Sequence, residues 1–203
     1  VITGAGAVEN TVTVKPGNSV AIFGIGGVGL SAIVAAKQFK ANPIIAVDLN
    51  KEKLNFALRF GATHTVNASL NDPVKKIHEL TPVPGQYDNA KQPVSGADYV
   101  FDCIGVQETM KQVVQAARSS YFGVKSGGSA ILVGVPMEDA VLDAKDIMRN
   151  EKKFLGSIGG SCQPDRDLPK YLKWYQDGIL DLESMVTARY SLYEINEATS
   201  MLE

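Results

Sequence analysis

Short runs of apolar, largely β-branched residues alternate along the chain with longer segments in which apolar residues recur every three or four positions. The short runs predict strands at Ser19–Gly24, Ile44–Asp48, Thr65–Val66, Tyr99–Asp102, Ala130–Val133 and Phe154–Ile158. The longer segments predict helices at Val28–Phe39, Lys51–Phe60, Pro73–Leu80, Thr109–Arg118, Ala144–Asn150, Asp167–Gln176 and Leu192–Leu202. Because the strands are almost continuously apolar, both faces of their sheet are expected to be covered. We therefore predict an α/β fold, a doubly wound parallel sheet in a three-layer α/β/α arrangement.

The connections between these elements are rich in Pro, Gly and Ser. Thr81–Gly96, Ser119–Gly128 and Gly159–Pro164 are predicted as loops, and the first is long for a compact domain. The chain begins at Val1 without a methionine and stops within a segment of helical periodicity at Glu203. This pattern predicts a fragment of a longer protein.

Composition and charge narrow the function classes. The 203 residues include 20 Lys and Arg against 22 Asp and Glu, a net charge of −2, which gives no electrostatic basis for binding nucleic acid or an anionic membrane. The apolar stretches are far shorter than the ~20 residues that cross a bilayer. No basic-then-apolar leader is present at the start, and we predict a cytoplasmic location. Two cysteines, Cys103 and Cys162, make no disulfide framework and lack the spacing of a zinc site.

A glycine-rich segment joins the first predicted strand to the first predicted helix. Gly24-Ile25-Gly26-Gly27-Val28-Gly29 has the spacing G-x-G-x-x-G in the strand–turn–helix context that gives the motif its meaning. Gly24 permits the tight turn, Gly26 lets a diphosphate approach the backbone, and Gly29 lets the helix pack closely on the strand. The free N–H groups of the helix start bind the anion. The segment thus predicts a dinucleotide-binding Rossmann fold.

An acidic residue ends the second predicted strand. Asp48 lies nineteen residues after Gly29, where a carboxylate can accept hydrogen bonds from both ribose hydroxyls of an adenosine and repel a 2′-phosphate. Lys53, one helical turn further on, is placed to reach the same ribose. Asp48 therefore favours NAD over NADP, although it is also a candidate cap for the helix that follows.

Three other nucleotide-binding classes use glycine-rich loops. A P-loop requires a lysine where this chain has Leu30. A short-chain dehydrogenase would use Tyr121 and Lys125 on one helical face, but Gly123 lies between them and Gly127-Gly128 follows. An S-adenosylmethionine-binding domain stays open as an alternative, because it also combines a glycine loop with an acidic residue after the second strand.

Several motifs together resemble the zinc-dependent medium-chain alcohol dehydrogenases. They are distributed in order over essentially the whole chain: Gly24–Ser31, Val47–Lys53, Phe60–Thr63, Asp102–Gly105, Leu132–Pro136, Leu155–Gly160 and Tyr193–Ala198. The resemblance implies that residues 1–203 form an NAD-binding Rossmann domain and that residues 1–15 are a hinge to a GroES-like catalytic domain upstream. It also implies that the zinc ligands lie outside this chain, which would bind NAD without catalysing a reaction.

The same resemblance implies a role for each candidate cofactor-binding residue. Gly26, Gly27 and Val28 would face the diphosphate and the nicotinamide, and Asp48 and Lys53 the adenosine ribose. Ile104 and Gly105 would flank the adenine and its ribose. Val133, Gly134 and Val135 would present backbone groups to the carboxamide, with Ser157 nearby and Thr3 against the nicotinamide.

The activity implied by the resemblance is hydride transfer between NAD and a small alcohol, giving an aldehyde or ketone. Family members assemble through an edge strand, so Phe154–Ile158 is expected to form a homodimer or homotetramer. A stand-alone NAD-binding or sensing module without chemistry of its own is the alternative from a different class.

Overall fold

The computed structural model describes residues 1–121, 123 and 125–201, and its centre is a parallel sheet of six strands. The strands of this sheet are β1 (Val20–Phe23), β2 (Ile44–Asp48), β3 (His64–Asn67), β6 (Tyr99–Asp102), β7 (Ser129–Leu132) and β8 (Lys153–Gly156). They lie in the order β3-β2-β1-β6-β7-β8 with every neighbouring pair parallel. The predicted doubly wound sheet is confirmed, and the strand order reverses beside β1, where such folds bind ligands.

The helices form two layers because successive strand residues point to opposite faces of the sheet. The α-helices are α1 (Ile2–Gly6), α2 (Gly27–Gln38), α3 (Lys51–Phe60), α4 (Pro73–Leu80), α5 (Gln107–Ala116), α6 (Ala144–Arg149), α7 (Pro164–Gln176), α8 (Leu182–Met185) and α9 (Ile195–Ser200). Ile22 and Phe101 pack in one core with α2, α3 and α7, which includes the buried Trp174. Phe23 and Val100 pack in a second core with α4 and α5. The three-layer prediction is thereby confirmed.

Local sequence explains where several helices begin. Asn50, Asp72 and Asp143 each precede a helix and accept hydrogen bonds from two of its first backbone N–H groups. Such caps satisfy donors that have no acceptor within the helix. Asn50 caps α3, so the alternative in which Asp48 is the cap is wrong.

Two predicted loops contain regular structure. Thr81–Gly96 forms an antiparallel hairpin of β4 (Pro82–Tyr87) and β5 (Pro93–Ser95), which corrects the loop prediction. In Ser119–Gly128, Tyr121 and Lys125 pair as an antiparallel bridge, while Phe122 and Val124 lie outside the described residues. The prediction that no helical face joins Tyr121 and Lys125 is confirmed.

Both ends of the described chain contain short helical segments. Residues 1–15, predicted as a hinge, contain α1 and one π-helical segment, Ala7–Thr11, whose small residues are buried against α2. The helix predicted at Leu192–Leu202 divides into a 3₁₀ turn, Leu192–Glu194, and α9; Leu202 itself lies outside the described residues. Within the described ranges, no helix is long and apolar enough to cross a membrane.

Candidate functional site

The glycine-rich loop joins the carboxyl end of the central strand β1 to α2. Gly24 has φ +87°, in the left-handed region that favours glycine, and its N–H donates to the Val47 carbonyl at 2.9 Å. A Cβ at Gly24 would lie 2.5 Å from the Ile104 side chain, and one at Gly29 would collide with the Gly24 carbonyl. These two glycines let the loop and the helix pack on β1 with no space for a side chain.

The middle of the loop is open to solvent. Gly26 and Gly27 are exposed, and a Cβ on either would meet no atom within 4 Å. Gly26 is the N-cap of α2, so the first N–H groups of a twelve-residue helix face this space. The helix dipole favours an anion there. The loop thus offers an open site for a phosphate group without any basic side chain.

Asp48 lies beside this loop and holds it in place. One carboxylate oxygen accepts the Ile25 N–H at 2.7 Å, and the other accepts the Asn50 N–H at 2.9 Å. Each carboxylate oxygen can accept a further donor, and Asp48 is partly exposed. Lys53 is exposed on the first turn of α3; in the described part of the chain, no hydrogen bond or ion pair joins its ammonium group to Asp48.

A second turn, at the end of β6, lies on the other side of β1. Asp102 is fully buried, and its carboxylate accepts the N–H groups of Ile104 at 2.9 Å and Gly105 at 3.0 Å and the Thr109 hydroxyl at 2.9 Å. This turn leaves the Ile104 side chain partly exposed beside Gly24. Asp102 was absent from the predicted site residues; its signal in the sequence is a carboxylate that ends an otherwise apolar strand.

Residues 133–135 pack against this turn. The N–H groups of Val133 and Gly134 both donate to the Asp102 carbonyl at 2.9 Å. A Cβ at Gly134 would collide with the Ile104 backbone, and one at Gly105 would lie 2.9 Å from the Val135 carbonyl. Since the amides of Val133 and Gly134 are already paired, only their carbonyl groups are available to a ligand. Val135 is exposed.

The remaining predicted residues, Thr3, Val28 and Ser157, lie where α1, the start of α2 and the end of β8 meet. Gly4, next to Thr3, packs against the Val28 carbonyl with no room for a Cβ. Ser157 continues the sheet register by donating its N–H to the Leu132 carbonyl at 2.9 Å, and its buried hydroxyl lies 2.8 Å from that of Thr11. Thr11 was also absent from the predicted site.

Other polar regions are less suited to a dinucleotide. A cavity of about 520 Å³ beside α4 and α5 is lined by the carboxylates of Asp72 and Glu108, which would repel phosphate. Tyr121 and Lys125 lie near Asp98, which precedes β6. They are therefore at the amino ends of the strands, whereas the glycine loop is at the carboxyl ends.

Metal ligands are not assembled within the described part of the chain, which contains no group of three or more His, Cys, Asp or Glu side chains placed to hold an ion. Cys103 and Cys162 are both free. Burial, with a smaller contribution from the Asp102 charge, raises the pKa of the Cys103 thiol well above its usual range. A thiol must lose its proton to bind zinc, so Cys103 is a poor ligand.

Comparison with known proteins relates the chain to dehydrogenases. Residues 27–177 match the family described as zinc-binding dehydrogenase. A class-3 alcohol dehydrogenase from Cereibacter sphaeroides is 34% identical over the whole chain, which corresponds to 51% of that relative. The chain thus spans about half the length of this curated relative.

Solved structures show the same relationship. The crystal structure of benzyl alcohol dehydrogenase from Acinetobacter calcoaceticus superposes with a TM-score of 0.82 at 34% identity, covering 98% of this chain and 50% of that one. A protein from Sinorhizobium meliloti described as a zinc-binding dehydrogenase, with NADP bound, superposes with a TM-score of 0.75 at 26% identity, covering 97% of this chain and 52% of that one.

Proposed function

The chain belongs to the zinc-binding dehydrogenase family, and from this we propose that it is the coenzyme-binding part of an NAD-linked alcohol dehydrogenase. One observation carries the proposal: the exposed glycines of the Gly24–Gly29 loop lie beside a carboxylate, Asp48, that is fixed through the Ile25 N–H. An anion-binding helix start next to an acceptor for ribose hydroxyls matches the diphosphate and the neighbouring adenosine ribose of a dinucleotide.

The proposed adenosine site uses Asp48, Lys53, Ile104 and Gly105. The remaining acceptor capacity of Asp48 would bind the ribose hydroxyls, and its charge would oppose a 2′-phosphate. Leu49, which directly follows β2, is 69% exposed, and Ile104, which follows β6, is 42% exposed. Since β2 and β6 flank β1, these two apolar side chains lie on either side of the glycine loop. We add Leu49 to the proposed adenosine site.

The proposed nicotinamide site lies where α1, the start of α2 and the end of β8 meet. When bound, the nicotinamide ring supplies the hydride acceptor and donor. The half-buried side chains of Thr3 and Val28 would orient the ring. The carbonyl groups of Val133 and Gly134 are the atoms free to accept from the carboxamide. The reaction of the whole protein would convert a small alcohol to its aldehyde or ketone.

Zinc belongs to the proposed whole protein rather than to this chain. The described residues provide no donor set for it, and Cys103, whose thiol pKa is raised, does not fit that role. We therefore place the zinc ligands in the half of the relatives' length that this chain does not cover. No step of the chemistry is assigned to zinc through the residues of this chain.

The edge of the sheet supports a proposed homodimer or homotetramer. β8 is the last strand in the sheet order, so one side of its backbone has no neighbouring strand in the described fold. Phe154 and Leu155 on this strand are half-buried. Multi-angle light scattering should give a multiple of the 21.7 kDa chain mass, and a monomer at high concentration would contradict this proposal.

The free cysteines accord with the cytoplasmic location that we also propose.

Calorimetric titration of the 203-residue chain tests the coenzyme assignment. We expect saturable binding of NADH, weaker binding of NADPH and no binding of S-adenosylmethionine. Preferential binding of S-adenosylmethionine, or equal affinity for NADH and NADPH, would contradict the proposal. A Gly26→Val variant is the non-binding control, because its side chain would occupy the open space of the loop and should abolish NADH binding.

A further inference from the structure

The turn that follows β8, residues 157–161, has an unusual backbone conformation. Gly159, Gly160 and Ser161 have φ of 54°, 71° and 48°, all in the left-handed region. Glycine adopts this region readily, whereas Ser161 has a side chain that disfavours it. Contacts from elsewhere in the chain must therefore hold the turn in this conformation.

Backbone contacts with residues 2–6 provide part of this support. A Cβ at Gly160 would collide with the Ile2 carbonyl and lie 2.6 Å from the Thr3 carbonyl. A Cβ at Gly6 would collide in turn with the Gly160 carbonyl. The segment that contains Thr3 and the turn that begins at Ser157 are thus in direct contact, with no side chain between them.

The Thr11 hydroxyl joins the two ends of the turn. It lies 2.8 Å from the Ser157 hydroxyl and 2.9 Å from the Ser161 hydroxyl. Thr11 has one hydroxyl proton, so it can donate to one serine and accept from the other. Ser157 is buried, which makes loss of its partner costly.

Residue 10 anchors this segment to α7. The Asn10 amide donates to the Gly160 carbonyl at 3.4 Å and to Asp167 at 3.1 Å. Asp167 is fully buried and also accepts from Arg166 at 2.7 Å. Asn10 and Thr11 therefore connect the turn to a helix of the main core, which gives Thr11 a fixed position.

We propose that Thr11 is a positioning residue for the nicotinamide end of the coenzyme and acts through Ser157 and the 157–161 turn. This inference rests on the proposed function, in which Thr3 and Ser157 lie at the nicotinamide. The adenosine end is held by Gly24–Gly29 and Asp48, with which the Thr11 hydroxyl makes no hydrogen bond among the described residues. Removing that hydroxyl should therefore affect the nicotinamide end alone.

Titration of Thr11→Val with NADH and with ADP-ribose, which lacks the nicotinamide, tests this separation. Valine keeps the β-branched shape and removes the hydroxyl. We expect the Kd for NADH to rise roughly three- to tenfold, as for the loss of one or two neutral hydrogen bonds, and the Kd for ADP-ribose to stay unchanged. Thr11→Ser should restore NADH binding. Thr65→Val, at an exposed threonine on β3, is the matched control and should change neither Kd.

Ser157→Ala removes the same hydrogen bond from the other side and serves as the second variant if Thr11→Val does not fold. The double variant should weaken NADH binding by less than the product of the two single effects, because both changes remove the Thr11–Ser157 hydrogen bond. Equal weakening of NADH and ADP-ribose, or unchanged NADH binding, would overturn the role of Thr11. If the unmodified chain binds neither NADH nor ADP-ribose, the proposed function itself fails, and this inference fails with it.

Discussion

Replacing Asp48 with alanine tests the nucleotide site most directly. The carboxylate accepts the Ile25 N–H at 2.7 Å and the Asn50 N–H at 2.9 Å, and retains acceptor capacity for ribose hydroxyls. A hydrogen bond to a charged group contributes about 1.5–3 kcal/mol, and about 1.4 kcal/mol corresponds to a tenfold change in affinity. Asp48→Ala should therefore weaken NADH binding by about ten- to a hundredfold.

The same substitution should have the opposite relative effect on NADPH. Two unit charges about 4 Å apart near a protein surface repel by about 4 kcal/mol, and Asp48→Ala removes that repulsion from the 2′-phosphate. NADPH loses the ribose contact but gains this relief. The preference for NADH over NADPH should fall by about a hundredfold or more, and Asp48→Ser should shift it in the same direction.

Parallel calorimetric titrations with NADH and NADPH measure this preference. Asp72→Ala is the matched control, because the Asp72 carboxylate also accepts two backbone N–H groups, from Val74 at 2.9 Å and Lys75 at 3.1 Å, at a helix start outside the glycine loop. It should leave both affinities unchanged. An unaltered NADH preference in Asp48→Ala, or the same loss in both variants, would refute the assignment of Asp48 to the ribose.

Four further substitutions test the glycine loop, the turn after β6 and the pH dependence of stability. Gly26→Leu should abolish NADH binding while the thermal unfolding temperature stays constant, whereas Gly29→Ala should lower that temperature because its Cβ collides with the Gly24 carbonyl. Asp102→Ala leaves the N–H groups of Ile104 and Gly105 without their acceptor, whereas the Thr109 hydroxyl keeps the Val106 carbonyl, and it should lower the free energy of unfolding in urea by about 2 kcal/mol or more; a change below about 1 kcal/mol would contradict this role. Burial is the main cause that lowers the pKa of His78, so the unfolded chain takes up the proton first, and the stability due to neutral His78 is lost as the pH falls below about 6.5. Urea titrations at several pH values should show this loss, and His78→Gln should remove it, while His64→Gln, at an exposed histidine, should not.

Periodicity was sufficient to predict the central strands of the sheet, because β1, β2, β6 and β7 are short and largely buried apolar runs. The hairpin β4–β5 was missed because it lacks such an apolar run. Most residues of Pro82–Tyr87 are exposed, and the segment contains two prolines and a glycine, so it lacks the alternation that predicts a strand. Residues 2–6 were missed as a helix because Gly4 and Gly6 have low helix propensity and are held by packing on α2 and the 157–161 turn.

The candidate site also contains some residues that the sequence predicts and others that it does not. Gly24–Gly29 and Asp48 are predictable because their spacing is local and each residue type has a physical role in that motif. Asp102 is visible in the sequence only as a carboxylate that ends an apolar strand, although its partners Ile104, Gly105 and Thr109 follow closely along the chain. Thr11 has no local signal, because its partner is set by the tertiary fold: the bond between Thr11 and Ser157 spans 146 residues of sequence.

The contacts of residues 9–11 with α7 also determine when this segment can fold during synthesis on the ribosome. Asn10 bonds to Asp167, and Glu9 pairs with Lys170, across 157 and 161 residues of sequence. At about 5–20 residues per second, roughly ten to thirty seconds pass between the emergence of these partners. Residues 9–11 are thus secured only after α7 has emerged, and a nascent chain that stops before α7 would leave them without these contacts.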